Sequence, residues 1–285
     1  LIIMTNATAL WLYYTLKESQ ARVRLIEKNI GFIIDTVKRI QQELAISSTL
    51  SDGEEKHLLG QVERNVHDAL MKVITKVFPD DSVSSEEEHR QHGKNNFTWV
   101  LDPIDGSMNF LRKLPLYAIS IGIQHRDTNV AGVVIVPELN DVYKAILGQG
   151  VTKNLSRIKV SEIQLLDRAL LISSFPVNRK VILHEILADL SAFLTSGRSI
   201  RRTGSIVLDL CWLAEGRIDG LWEKSVGLWD LSAVSVILKE AGATISDYKG
   251  DQMITYPSDI VISNGFIHNQ ILEVLKKARQ ELSLN

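Results

Sequence analysis

The 285-residue sequence contains a single cysteine and almost no excess of charge of either sign. Cys211 has no second cysteine for an intrachain disulfide, and its apolar surroundings over 206–213 favour a small buried side chain rather than a nucleophile. With 32 basic and 34 acidic residues the formal net charge is -2, so bulk charge does not indicate nucleic-acid binding. These absences predict a protein of a reducing, cytoplasmic compartment.

The sequence also lacks a long hydrophobic run and any grouping of histidines. The stretch 1–16 is interrupted by threonine and asparagine, is shorter than the roughly 20 residues of a membrane span, and has no basic leader. We therefore expect neither a membrane partner nor a secretory signal. The 7 histidines show no zinc-ligand spacing. A composition of 45% hydrophobic and 23% charged residues is typical of a globular chain and excludes a disordered one.

Apolar spacing predicts helices near both ends of the chain and several strands between them. In the first half, a 3.6-residue period predicts helices over 25–44 and 62–77, with loops at 47–53 and 80–96. The strands predicted there are 97–101, 117–124, 130–137 and 142–147, joined as antiparallel neighbours. In the second half the predicted strands are 169–173, 199–201, 219–223, 243–246 and 259–263, and the predicted helices are 181–194, 204–214, 230–241 and a last one from His268. This alternation predicts a layered mixture of helices and sheets.

The strongest chemical signal is the run Trp99-Val100-Leu101-Asp102-Pro103-Ile104-Asp105-Gly106-Ser107-Met108-Asn109-Phe110. A strand delivers Asp102 at its end, and a tight turn at Pro103 and Gly106 would bring Asp105 toward the same point. Two converging carboxylates repel each other and require a counter-ion, for which hard oxygen ligands suit Mg²⁺. A helix opening at Ser107 would offer free N–H groups to a phosphate. The alternative is an ordinary turn, since Asp-Pro and Asp-Gly are common turn formers.

Two weaker acidic signals flank this run. Ser85-Glu86-Glu87-Glu88-His89 follows Phe78-Pro79 and, by itself, is typical of a solvated loop. Trp229-Asp230 precedes an almost wholly apolar helix, and there Asp230 alone would be interpreted as an N-cap. Neither signal identifies a metal site without the other.

Taken together, the three elements resemble the inositol monophosphatase family of Mg²⁺-dependent, lithium-sensitive small-molecule phosphatases. The resemblance covers roughly 60–265 and is carried by the Asp-Pro-Ile-Asp-Gly-Ser element, the acidic run after Phe78-Pro79, and Gly227-Leu228-Trp229-Asp230 followed by 240–243. It implies an α+β fold with layers in the order α-β-α-β-α, and a homodimer. It also implies an N-terminal half, 1–150, with most metal ligands, and a C-terminal half, 151–285, with Asp230 and the substrate-lining residues, in one compact unit.

The resemblance implies a role for each matching residue. The implied metal ligands are Glu86, Asp102, Asp105, Asp230 and the backbone carbonyl of Ile104, with Glu87 as the neighbouring acidic residue. Gly106 and Ser107 would hold phosphate through their N–H groups, and the Ser107 hydroxyl would position the attacking water. Glu223 would contact a substrate hydroxyl, and the lining of the substrate ring would be Gly204, Ser205 and Ile206. Mg²⁺ held by such carboxylates lowers the pKa of water and stabilises the leaving oxygen, so no histidine or cysteine nucleophile is required.

The sequence departs from the family pattern at three positions. The family's water-activating aspartate falls on Glu63, which is one methylene longer, so its pairing with Ser107 would have altered geometry. One helical turn later His67 stands where the family often has glutamate, which affects the most loosely held metal. Ile206 replaces a small residue and should narrow or reshape the pocket.

The leading hypothesis is a Mg²⁺-dependent phosphatase of a small phosphorylated polyol, with inositol 1-phosphate as the substrate. A second hypothesis keeps the chemistry and changes the substrate to 3'-phosphoadenosine 5'-phosphate or fructose 1,6-bisphosphate. A third is a weakly active or non-catalytic regulatory homologue. Intact Glu86, Asp102, Asp105 and Asp230 argue against the third, because a buried carboxylate cluster costs stability without a metal. The basic run Arg198, Arg201 and Arg202 would attract an anionic substrate or form a surface edge.

Overall fold

A computed structural model describes residues 6–44, 51–86, 92–175, 180–195, 199–252 and 256–284. The helices are α1 (Asn6–Glu43), α2 (Asp52–Val77), α3 (Ser107–Leu111), α4 (Leu183–Thr195), α5 (Ile206–Ala214), α6 (Leu228–Ala241) and α7 (His268–Leu284). The strands are β1 (Ser82–Ser85), β2 (Phe97–Asp105), β3 (Ala118–His125), β4 (Thr128–Val136), β5 (Asp141–Ile146), β6 (Gly150–Lys153), β7 (Ser156–Arg157), β8 (Leu170–Ser173), β9 (Ser199–Arg201), β10 (Gly220–Val226), β11 (Thr244–Asp247) and β12 (Ser258–Ser263). No helix in the described part of the chain combines the length and the apolar character that crossing a bilayer requires.

The strands form two sheets, one from each half of the chain. The first sheet has seven strands in sequence order, β1 to β7, and only its β1–β2 pair is parallel. The second sheet has five strands in the order β11-β12-β10-β8-β9. Here β8 is parallel to both β9 and β10, whereas β12 runs antiparallel to β10 and β11.

The helices separate these sheets into five layers. Helices α1 and α2 pack on one face of the first sheet through a core that includes Ile26, Leu70 and Trp99. Helices α5 and α6 lie between the two sheets, where one apolar cluster joins them to inward-facing residues of both. Helices α4 and α7 cover the outer face of the second sheet. The α-β-α-β-α order that the sequence resemblance implied is confirmed.

The residues of β10 show how one strand serves two of these layers. Leu221 faces the central helices, whereas its neighbour Trp222 faces the outer layer and stacks on Phe193 with ring centroids 3.9 Å apart. Successive side chains of a strand point to opposite faces. A sheet buried on both faces therefore needs apolar residues at consecutive positions, as β10 has.

Two glycines bring α6 unusually close to the first sheet. Gly122 of β3 and Gly132 of β4 are paired across the strands. A Cβ at Gly132 would lie 2.1 Å from the backbone oxygen of Ala233, and one at Gly122 would lie 2.2 Å from the Ser232 hydroxyl. Because neither residue carries a side chain, the backbone of α6 rests directly on the sheet. This close contact fixes the helix that carries Asp230.

The structure differs from the sequence prediction in five places. The first is α1, which begins at Asn6 rather than at residue 25. Helix α2 begins at Asp52, so Gly53 is helical; Ser51 caps the helix, accepting from the Glu54 backbone N–H at 3.4 Å. The predicted loop 80–96 contains β1, whose polar Ser-rich sequence hides a strand paired with β2. The predicted tight turn at Pro103 lies inside β2, which continues to Asp105. Strands β6 and β7 had no apolar alternation long enough to predict them.

Candidate metal and active site

A bulge at the end of β2 places Asp102 and Asp105 on the same side. Asp102 pairs with Ser120 and Asp105 with Ala118, so three steps along β2 match two steps along β3. Residues three apart on a regular strand face opposite sides, but one extra residue restores the alternation. Pro103 has no N–H to lose from the ladder and suits this irregular position. Within the bulge, the buried Ile104 donates its N–H to Asp102 Oδ1 at 3.1 Å.

The third carboxylate comes from the N-terminal turn of α6. The helix begins at Leu228 with Gly227 as its N-cap, so Asp230 is the third helical residue rather than the cap. Its Oδ2 accepts the Gly227 N–H at 2.8 Å. The interpretation of Asp230 as the N-cap is therefore wrong, although its side chain does accept the backbone N–H of the N-cap residue. Oδ1 makes no hydrogen bond to any described residue of the chain.

One carboxylate oxygen from each of Asp102, Asp105 and Asp230 lies within 4.8 Å of the others, a grouping that could hold a metal ion. Burial, and then the charges of the other two aspartates, raises the pKa of Asp102 well above its usual range. Burial raises the pKa of Asp105 to about 6, and burial with the charge of Asp105 raises the pKa of Asp230 to about 7.

This arrangement fits a bound divalent cation. No lysine or arginine in the described ranges forms an ion pair with any of the three aspartates. The donors are all oxygen atoms, as hard cations such as Mg²⁺ and Ca²⁺ prefer. Their mutual repulsion would be relieved by a metal ion in a way that the described side chains do not provide.

A loop from the second half of the chain fixes the orientation of Asp105. Its Oδ2 accepts a short hydrogen bond from the Ser205 hydroxyl and another from the Val207 N–H at 2.8 Å. Ser205 is also the N-cap of α5, accepting from the Leu208 N–H at 3.3 Å. The backbone N–H of Ile206, in the same loop, is a further hydrogen-bond donor to Asp105. The contact joins the two halves of the chain at the metal cluster.

Two glycines with positive φ make this junction possible. Gly106 has φ 88°, and a Cβ there would lie 3.0 Å from the Leu116 carbonyl oxygen and 3.1 Å from Ser205 Cβ. Gly204 has φ 93° and lies against the Asn109 amide. Most side chains rarely adopt this backbone conformation, so both positions favour glycine.

A cavity of about 770 Å³ opens beside the cluster. Several residues assigned through the sequence resemblance line it; they are Glu86, Asp105, Gly106, Ser107, Gly204, Ile206, Glu223 and Asp230. Asp102, Ile104 and Ser205 are buried behind this lining. Glu63 of α2 is not part of the lining either, but its charge is the smallest of the contributions that raise the pKa of Asp102. Glu87 lies outside the described residues.

Glu223 is the most unusual of the lining residues. It is only 8% exposed, and its Oε2 has no hydrogen-bond partner in the described part of the chain. Burial, and then the charges of Asp230 and Asp105, raises its pKa well above the usual range. A buried polar atom without a partner carries a desolvation cost, which makes Glu223 a candidate for contact with a bound group.

Sequence reasoning assigned no site role to Phe175 or Asn109, and it left Arg202 between attracting an anionic substrate and forming a surface edge. Phe175 lines the cavity with Arg202, whose guanidinium carbon lies 5.2 Å from the centre of the Phe175 ring. Arg202 belongs to the basic run noted in the sequence, whereas Arg201 is exposed on β9 and Arg198 lies outside the described residues. Asn109 donates its amide to the carbonyl oxygens of Leu116 and Thr203, at 2.6 and 2.9 Å. Its position inside the run from Trp99 to Phe110 was the only available signal.

Comparison with known proteins finds relatives that match most of the chain. The model of the inositol monophosphatase family matches residues 20–283. A protein named putative Nus factor SuhB, from Neisseria meningitidis serogroup B, is 36% identical over 219 residues, which cover 76% of this chain and 84% of that protein. An Aquifex aeolicus protein named fructose-1,6-bisphosphatase/inositol-1-monophosphatase is 32% identical over 226 residues, covering 78% and 83%. The crystal structure of SuhB from Bartonella henselae superimposes with a TM-score of 0.79 at 26% identity, covering 90% of this chain and 99% of that one.

Proposed function

The chain belongs to the inositol monophosphatase family, a family of phosphatases, and we propose that it hydrolyses inositol 1-phosphate to inositol and phosphate with Mg²⁺ as its cofactor. The observation that carries this proposal is the convergence of Asp102, Asp105 and Asp230 beside a cavity lined by the buried carboxylate of Glu223, whose Oε2 has no hydrogen-bond partner in the described part of the chain. The first feature suits metal-assisted phosphate chemistry, and the second suits a substrate rich in hydroxyl groups.

The three aspartates, Glu86 and the Ile104 carbonyl would hold the metal. Bound Mg²⁺ would supply positive charge that lowers the pKa of a water molecule and stabilises the developing charge on the phosphate ester. The bulge in β2 and the hydrogen bonds on Asp105 Oδ2 and Asp230 Oδ2 direct the remaining carboxylate oxygens toward one point. Preorganised donors of this kind avoid the cost of rearranging during the reaction.

The start of α3 would hold the phosphate. Gly106 and Ser107 line the cavity next to the aspartates, and their backbone N–H groups would donate to phosphate oxygens. The Ser107 hydroxyl would position the attacking water, and Glu63 would accept its proton. Glu63 acts on the cluster electrostatically, through the raised pKa of Asp102.

The opposite wall of the cavity would recognise the alcohol part of the substrate. Glu223 Oε2 would accept from a ring hydroxyl and so gain the hydrogen bond that it lacks within the described chain. Gly204, Ser205 and Ile206 would form the adjoining surface against one face of the ring. The branched Ile206 would limit how far a larger ring enters.

The same site leaves room for other phosphate esters. The Aquifex relative's name includes fructose-1,6-bisphosphatase, which keeps fructose 1,6-bisphosphate as an alternative substrate beside 3'-phosphoadenosine 5'-phosphate. The neisserial relative is named a putative Nus factor, which keeps a regulatory role for this chain as a second candidate function. A homodimer and a cytoplasmic location are further parts of the proposal.

The decisive test is phosphate release from inositol 1-phosphate across a Mg²⁺ titration. We expect Mg²⁺-dependent turnover that Asp102→Asn abolishes. Glu43→Gln is the matched control, because Glu43 is a 64%-exposed partner in a surface ion pair of α1. Phosphate release from fructose 1,6-bisphosphate or 3'-phosphoadenosine 5'-phosphate, with none from inositol 1-phosphate, would refute inositol 1-phosphate as the substrate. If the folded protein releases phosphate from none of the three compounds, the proposed phosphatase activity is refuted and the regulatory role is favoured.

A further inference from the structure

A buried lysine stands directly behind the carboxylate that would recognise the substrate. Lys224 follows Glu223 on β10, and its side chain is 6% exposed. Glu223 and Lys224 both border the cavity, and the end of the Lys224 side chain extends toward α4. There Lys224 Nζ donates to Glu185 Oε2 at 2.6 Å and to Asp259 Oδ2 at 3.4 Å.

The backbone at this point has an irregular and strained conformation. The register of β10 against β12 shifts between Glu223, paired with Ile260, and Val226, paired with Ser258. Inside this bulge Ser225 has φ 58°, in the left-handed region that is unfavourable for a non-glycine residue. Such a conformation persists only where its surroundings determine it.

Asp259 supplies that constraint with both of its carboxylate oxygens. Oδ1 accepts the Ser225 N–H at 3.1 Å, and Oδ2 accepts from Lys224 Nζ. One side chain of the neighbouring strand therefore holds both residues that follow Glu223. We call Lys224, Ser225 and Asp259 the bulge clamp. Glu185 anchors the clamp to α4 through the same lysine.

We propose that the bulge clamp is a positioning device that sets the direction of Glu223 and thereby the preference of the site for polyol phosphates. Glu223 emerges from the last regular pair before the bulge, so a change in the bulge changes the angle at which its carboxylate enters the cavity. Asp230 is held separately, by α6 and by the Gly227 N–H. The clamp therefore acts on recognition of the alcohol and leaves the metal cluster unchanged. This inference rests on the proposed phosphatase function.

The test compares two substrates and a matched lysine. Lys224→Met should raise KM for inositol 1-phosphate about tenfold, the loss expected when one hydrogen bond to a charged group is misaligned. Phenyl phosphate has no hydroxyl groups, and its kcat and KM should change less than about twofold. Lys153→Met is the control, because Lys153 also joins two carboxylates, at 2.9 Å to Asp141 and 2.8 Å to Glu215, but lies outside the cavity lining. Lys153→Met should leave kcat and KM unchanged for both substrates.

Two variants of Asp259 test the clamp without altering the lysine. Asp259→Asn keeps an oxygen for the Ser225 N–H and should retain most of the preference for inositol 1-phosphate. Asp259→Ala removes both contacts and should reproduce the effect of Lys224→Met. Equal losses for both substrates, or no difference from Lys153→Met, would overturn the proposal.

Substrate binding separates this inference from the proposed reaction. Calorimetry with inositol 1-phosphate and Mg²⁺ should give about tenfold weaker binding for Lys224→Met, while the affinity for Mg²⁺ alone stays within about twofold of wild type. A wild-type chain that binds inositol 1-phosphate without hydrolysing it would refute the proposed reaction. The difference in affinity between wild type and Lys224→Met would still test whether the bulge clamp positions Glu223. A wild-type chain that neither binds nor hydrolyses any polyol phosphate would overturn both.

Discussion

The carboxylate cluster predicts that Asp105→Asn makes the metal-free protein more stable. The asparagine oxygen still accepts from Ser205 and Val207, which both contact a single oxygen of Asp105. Its Nδ2 replaces the second charged oxygen and donates toward Asp102 and Asp230 instead of repelling them. The substitution therefore removes charge from the cluster while keeping the hydrogen bonds that hold the loop.

The pKa of Asp105 sets the size and the sign of the effect. Its pKa is about 6 in the folded protein, against 3.8 for the ordinary value. Because the folded pKa is raised, the group favours folding below pH 4 and loses that contribution as pH rises through 6. At about 1.36 kcal/mol for each pKa unit, the ionised carboxylate costs the folded state about 3 kcal/mol at pH 8. Asp105→Asn should recover this cost at pH 8 and change stability little at pH 4.

The assay is thermal and urea unfolding in excess chelator at pH 4 and pH 8. We expect the Tm of Asp105→Asn to rise by about 5 °C at pH 8. Adding Mg²⁺ at pH 8 should stabilise the wild type by mass action and leave Asp105→Asn almost unaffected. If Asp105→Asn loses the same stability at both pH values, the charge of Asp105 does not destabilise the folded protein by repelling the neighbouring carboxylates. The electrostatic account of the cluster would then be refuted.

Three other substitutions test what supports the site, and a fourth, Gly31→Ala, is a contrast for one of them. Asp81→Asn should cost about 3 kcal/mol in urea unfolding, because it leaves the guanidinium of Arg22, now held by both Asp81 oxygens at 2.8 Å, buried beside a neutral group. Gly132→Ala should lower stability by about 2 kcal/mol by forcing α6 off the sheet, whereas Gly31→Ala, with nothing within 4 Å of its new Cβ, should raise it by about 0.5–1 kcal/mol. Asp209→Ala removes the acceptor of the Thr203 hydroxyl at 2.6 Å and should weaken Mg²⁺ binding about tenfold in calorimetry.

The sequence predicted the layered fold and the regular elements well because their signals are local. The apolar stripe of α2 and the near-uniform hydrophobicity of α6 are read within one segment. Strand β1 was missed because its core partners are supplied by β2 and α2, and its own four residues are mostly serine. A strand that depends on its neighbours carries little pattern of its own.

The candidate site was predictable only in part, for the same physical reason. The short spacing of Asp102 and Asp105 was visible along the chain, and the family resemblance added Asp230 and Glu223. The loop that fixes Asp105 comes from 100 residues away, since Ser205 reaches it only after the two halves pack together. Phe175 and Lys224 have no local pattern that separates them from other core and surface residues. Contacts of this kind follow from the packing of whole layers.

The two halves of the site share one structural solution to a problem of strand geometry. A regular strand would send Asp102 and Asp105 to opposite faces, and the bulge in β2 brings them back to one. The bulge in β10 follows Glu223 and redirects the chain into Gly227 and the turn that presents Asp230. In each sheet the extra residue falls between groups that must meet in the cavity. A deletion of one bulge residue would keep both sheets paired but separate those groups, so the site depends on register as much as on residue type.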